Sequence, residues 1–189
     1  MKASSGTQAA LTCHPATPCR AVSSIGLEIL PTAGSTLTLR YVLDGDVGRL
    51  LIPAHTQPGR ADALWQHTCF ELFCTAGATA AYYELNFSPS TQWAIYGFTA
   101  YRQGMVSVQT RQAPRIAMHQ HAGGLELEAI VDLEPLTALQ GFPVVRVAAS
   151  AVVEEANSGL SYWALAHPAA KPDFHHADAF VLSVARSEG

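Results

Sequence analysis

Residues 68–75 read TCFELFCT and residues 81–88 read AYYELNFS. Both runs are short, rich in aromatic and strand-favouring side chains, and set off by a Gly/Ala/Thr turn between them and a Pro-Ser turn after the second. In an extended chain successive side chains point to opposite faces. Phe70, Leu72 and Cys74 then share one face of the first run, and Tyr83, Leu85 and Phe87 one face of the second; these are the expected core. Cys69, Glu71 and Phe73 share the opposite face, beside Tyr82, Glu84, Asn86 and Ser88 of the neighbouring run. A solvated outer face would show the same alternation. It would, however, carry lysine and threonine rather than two carboxylates and an amide interleaved with aromatics.

Working outward, similar runs recur every ~8–15 residues. STLTLRYVL ends at the Asp44-Gly45 turn signal, and GRLLIP stops at Pro53. QWAIYGFTAY, MVSVQT, RIAMHQH, LELEAIVDL, PVVRVAASAVVEE, SYWALA and FVLSVA follow, with Gly123 and Gly124 marking a turn. Short strands at this spacing predict an all-β protein, an antiparallel sandwich of jelly-roll type, rather than a parallel α/β sheet. One stretch, LEPLTALQG, reads as a short helix of one or two turns ending at Gly141. No repeat or linker divides the chain, so a single domain over residues 1–189 is expected.

The 189 residues are 49% hydrophobic and 14% charged, with a net charge of −4. The charged fraction lies well below the roughly 25% usual for soluble domains, which excludes disorder. A slightly acidic chain offers nucleic acid or an anionic membrane no electrostatic attraction. No run approaches the ~18 apolar residues of a spanning helix. The first twenty residues hold one lysine and no secretory apolar core, so a cytoplasmic protein is expected. Cys13, Cys19, Cys69 and Cys74 lack zinc-ribbon spacing and read as reduced, small hydrophobes, with a Cys13–Cys19 bridge as the geometric alternative.

The order LWQHTCFELF, YYELNFSPSTQWAIY, LELEAIVDLEPL and PDFHHADAFVLSV resembles the DOMON superfamily, and within it domains similar to family-nine carbohydrate-binding modules. HPATP, GRADALWQHTCFELF, NFSPSTQWAIYGFTAYRQGM and WALAHPAAKPDFHHADAF are similar to a bacterial subgroup of stand-alone DOMON-like proteins, over nearly the whole chain. The resemblance implies a non-catalytic β-sandwich that binds sugars or haem. Trp65 and Glu71 match the sugar-binding pattern by position; the second stacking aromatic of that pattern is left unassigned.

Three chemistries compete for the candidate residues. Sugars present flat apolar faces rimmed by hydroxyls, which aromatic platforms and carboxylates, amides or arginine recognise. Trp65, Trp93 and Trp163 are the candidate platforms, and His67, Glu71, Glu84, Asn86 and Arg102 the candidate polar contacts, with residues 167–176 as one wall. Tryptophans that merely plug the core are the plain alternative. A transition metal is the second chemistry: His167, Asp173, His175 and His176 crowd a proline-held loop, although imidazoles bonded to backbone would look the same. Haem is the third, with Met105, Met118, His119 and His121 available and Met118 needing His167 as its partner across the iron. Catalysis would rest on Glu71 and Glu84 alone, since no nucleophile motif or phosphate loop is present. The expectation is therefore a non-enzymatic module for a carbohydrate or similar small polar ligand, without cofactor. Metal or haem binding and a protein-interaction module are the alternatives.

Overall fold

The computed structural model describes residues 6–31, 34–157 and 159–185. Its strands are β1 (Thr7–Cys13), β2 (Val22–Pro31), β3 (Thr36–Gly45), β4 (Gly59–Arg60), β5 (Cys69–Thr75), β6 (Tyr82–Phe87), β7 (Gln92–Phe98), β8 (Val106–Ser107), β9 (Arg115–His121), β10 (Gly124–Asp132), β11 (Val144–Glu155), β12 (Gly159–Ala164) and β13 (Leu182–Ala185). They form two layers. The first has the order β1-β2-β3-β10-β9 and the second β4-β7-β6-β5-β11-β12, with β13 added to β11 and β8 to β7. Every pairing is antiparallel except the two-residue contact of β4 with β7. β1 joins the layers: its residues from Thr7 to Leu11 pair with β2, and Thr12 and Cys13 pair with Ala164 and Trp163 of β12.

Alternation explains how the layers close. Ile25, Leu27 and Ile29 of β2, Leu39, Tyr41 and Leu43 of β3, and Leu125 and Leu127 of β10 meet Phe70, Leu72, Leu85, Phe87, Ile95 and Val147 of the second sheet in one buried cluster. Removing these side chains from water is the main stabilising term. Tyr41 crosses the gap, its ring 5.0 Å from that of Phe70 and its hydroxyl donating to the Glu71 carbonyl at 2.7 Å. The expected inward faces of β5 and β6 are the observed ones. Gly124 closes the β9–β10 turn where no side chain fits, since a Cβ there would lie 2.0 Å from the Leu43 carbonyl oxygen.

Three local expectations are corrected. β1 and β2 were not among the expected strands, although Ile25, Leu27 and Ile29 keep strict alternation. GRLLIP is not a strand: the Asp46 side chain accepts from the Gly48 amide and starts a 3₁₀ turn over Val47–Arg49, leaving Leu50 a single bridge to Glu155. The expected helix is only a 3₁₀ turn, Thr137–Leu139, followed by Gly141 at φ +78°. All four cysteines are free. No helix among the described residues is long and apolar enough to cross a membrane.

Candidate functional site

The outer face of the second sheet is not solvated. Glu71 lies directly opposite Asn86, and Phe73 opposite Glu84, across the β5–β6 ladder; Ser150 of β11 flanks Glu71 on the other side. Ala94, Tyr96 and Phe98 of β7 continue the same face, in a second buried cluster with Phe73, Tyr82, Ala148 and Phe180. Three connections fold over it: residues 54–68, with a 3₁₀ turn at Leu64–Gln66, residues 99–105, and residues 165–181. Loops of the last one's length are usually functional or disordered. Together they leave a cavity of about 470 Å³ whose walls are Trp65, Phe73, Phe98, Tyr162 and Phe174 and whose floor holds Glu71 and Glu84, with Arg102, Met105 and His175 at its sides. That volume and its apolar walls with a few converging polar groups suit a small ligand.

The floor is electrostatically unusual. Glu71 is 2% exposed and Glu84 6%. Ser150 Oγ donates to Glu71 Oε2 at 3.1 Å, and Asn86 Nδ2 donates to Glu84 Oε1 at 2.8 Å. Burial, then the neighbouring Glu84 charge, pushes the Glu71 carboxyl up to about 8. Burial also raises Glu84, against the Asn86 hydrogen bond and the Arg102 charge that lower it. Desolvation favours the neutral acid, and two close carboxylates do not both ionise readily.

The covering loops are locked to the sheet by one chain of hydrogen bonds. The Tyr82 hydroxyl accepts from the Arg102 amide at 3.1 Å and is hydrogen-bonded to His175 Nδ1 at 2.8 Å. His175 Nε2 then faces Glu84 Oε2 at 3.7 Å. Burial foremost, with the Arg102 charge, pushes His175 down to about 4, so it is neutral at physiological pH. Arg102 Nη2 and the Tyr101 hydroxyl both donate to Asp173, at 2.9 and 2.7 Å. Arg102 adopts φ +53° and Ala63, at the start of the Trp65 turn, φ +59°. Left-handed backbone at non-glycine residues persists where surrounding contacts enforce it.

The structure thus brings Trp65, Glu71, Glu84, Arg102 and His175 to one cavity. Asn86 is fully buried behind it and holds Glu84. His67 is outside the lining; its Nδ1 lies 2.8 Å from Glu154 Oε2 on the exposed rim. Trp93 and Trp163 are corrected as platforms: both point between the layers, 7% and 5% exposed, within the core cluster. Phe73, Phe98, Tyr162 and Phe174 are the rings that line the cavity beside Trp65 instead. Phe73 shared the Glu71 face in the sequence, which was the signal; the others lay on runs whose facing was not settled.

The metal set does not converge. His167 Nε2 donates to the Thr12 carbonyl at 2.8 Å, His176 caps the 3₁₀ turn Ala177–Ala179 by accepting from the Asp178 amide, and Asp173 is engaged by Arg102. Among the described residues no group of three His, Cys, Asp or Glu side chains is placed to hold a metal ion. The haem pairing of Met118 with His167 does not fit either. Met118 lies on β9, four strands from the Thr12 strand that holds His167, or about 19 Å at normal strand spacing. Two axial ligands of one iron cannot stand so far apart.

No protein-family model matches the chain, and no curated protein matches it. A solved candidate carbohydrate-binding protein from Bacteroides uniformis superposes with a TM-score of 0.73 at 13% identity, covering 96% of this chain and 87% of that one. A family-nine carbohydrate-binding module from Caldicellulosiruptor kristjanssonii, solved with glucose, gives a TM-score of 0.45 at 9% identity over 79% of this chain and 69% of that one. Its cellotriose complex gives 0.42 at 10% identity over 77% and 69%. By the first of these likenesses, the chain shares the β-sandwich fold of the Bacteroides protein.

Proposed function

We propose that this protein is a non-catalytic module of DOMON-like type that holds a carbohydrate in the cavity on the outer face of its second sheet. The observation that carries the reading is the covered cavity itself, with aromatic walls over a buried carboxyl floor. Trp65 is the stacking platform, half in the cavity and set edge-on to Tyr96 at 5.9 Å between ring centres. Glu71, Glu84 and His175 Nε2 bond the sugar hydroxyls, and Arg102 closes one side. Asn86 positions Glu84. The sequence pattern around Trp65 and Glu71 supports the same reading, as does the fold shared with the Bacteroides protein.

Titration of mono- and oligosaccharides at up to millimolar concentration, read by tryptophan fluorescence and calorimetry, tests it. Saturable binding of at least one sugar, recovered unhydrolysed after incubation, is expected. The absence of binding across such a panel would overturn the reading.

A further inference from the structure

We infer that the cavity favours a ligand carrying a protonated amine and, on the carbohydrate reading above, an amino sugar rather than a neutral one. The charged and titratable groups on each element around it decide the preference. The 54–68 loop contributes Asp62, paired with Arg60 at 2.8 Å and accepting from the Tyr96 hydroxyl of β7 at 2.6 Å, and β11 contributes the Ser150 hydroxyl. β5 contributes Glu71 and, behind it, the Cys69 thiol; β6 contributes Glu84 and the Tyr82 hydroxyl; β12 contributes Tyr162. The loop of residues 99–105 contributes Arg102, whose charge is matched by Asp173 of the 165–181 loop at 2.9 Å. His175, the other basic group of the lining, is hydrogen-bonded to the Tyr82 hydroxyl at Nδ1 and is held neutral by burial and the Arg102 charge. Two carboxyl groups, each more than nine-tenths buried, are therefore left without a cation of their own. Glu71 Oε1 has no hydrogen-bond partner among the described residues, while its residue lines the cavity.

An empty cavity resolves this by keeping one proton, on Glu71. A neutral sugar leaves that arrangement as it is. An ammonium group can replace the proton, restore both carboxylate charges and meet the negative faces of Trp65, Phe98, Phe174 or Tyr162, which attract cations. The Glu71 proton then passes to the buffer. An anionic ligand gains nothing here, because Arg102 in the lining is matched by Asp173 and Arg60 on the covering loop by Asp62.

The test compares glucosamine, glucose and N-acetylglucosamine by calorimetry on the intact protein at about pH 6.5, where an amine is charged and Glu71 is not. We expect glucosamine to bind about tenfold or more tightly than either neutral sugar. Its binding enthalpy should vary with the ionisation heat of the buffer in the sense of proton release. Glu84→Gln should bring glucosamine to the affinity of glucose, and Glu71→Gln should bind without releasing a proton. The wild-type comparison alone is decisive and needs no variant to fold. Glucose binding as tightly as glucosamine overturns the amine inference and leaves the carbohydrate reading standing. Failure of all three sugars counts against both.

Discussion

The two outer faces of this sandwich carry the same kind of residues to opposite ends. On the first sheet, Arg40 lies between Glu28 and Glu126, 3.6 and 2.6 Å from their carboxylates, in an open cross-strand ladder. The Arg40 hydrogen bond holds Glu126 below the usual carboxylate range. On the second sheet, Glu71 and Glu84 occupy equivalent outward positions but lie diagonally across the β5–β6 ladder beneath three loops, and both are raised instead. A carboxylate with an arginine in water is surface chemistry. A buried pair without one is a cost that a structure retains when something else answers the charge.

The comparison can be broken most sharply at Glu71. Between its ordinary value of 4.5 and about 8 the folded protein holds a proton that the unfolded chain has released. Stability therefore falls as pH rises through that window. Denaturant unfolding between pH 5 and 9 should show a loss on the order of 2–4 kcal/mol in the wild type, and Glu71→Gln should abolish most of it. Parallel pH profiles of the two proteins would show that Glu71 is not held protonated. His175 acts in the opposite sense: unfolding lets it take up a proton below 6.5, so its share of stability is lost as pH falls from there through about 4.

A smaller effect should follow from Trp65→Ala. This ring is 37% exposed, so its loss should leave the melting temperature within about 2 °C while weakening sugar binding about tenfold, or ~1.4 kcal/mol. The smallest belongs to the first sheet. Arg40→Ala should lower stability only slightly, and less at high salt, with sugar affinity unchanged. A large loss of affinity there would mean that the two faces are not functionally distinct.

Much of this was legible in two short runs. The alternation in β5 and β6 separated core from cavity floor because one of their faces is aliphatic and aromatic without charge. The same rule was less decisive in β7, QWAIYGF, where Trp93 and Ile95 share one face and Tyr96 and Phe98 the other. Both faces are aromatic, so facing is set by register: Trp93 pairs with inward Phe87, and Ile95 with inward Leu85. In β12 the adjacent Tyr162 and Trp163 pose the same choice. The indole goes inward, where Ser161 Oγ accepts its N–H at 3.1 Å, and the phenol ring goes to the cavity.

The histidine loop left two readings open, metal ligands or imidazoles bonded to backbone, for a related reason, and the second is the observed one. Composition shows donor types, but not what each nitrogen meets. His14, far away in sequence, binds the Ala169 carbonyl at 3.3 Å and packs edge-on against His167, so these imidazoles pin the loop over the sheet. Only His175 turns inward, because its aromatic neighbours Phe73 and Phe98, 5.0 and 5.3 Å away, come from two strands of the outer face.

The three indole N–H groups give the most direct reading of the central claim, that this covered face is where ligand is held. In a nitrogen–proton correlation spectrum recorded while sugar is added, the Trp65 signal should shift saturably, while the signals of Trp93 and Trp163, sealed between the layers, hold their positions. A saturable shift confined to the two buried indoles, or no shift of Trp65 with a sugar that calorimetry shows to bind, would contradict the account.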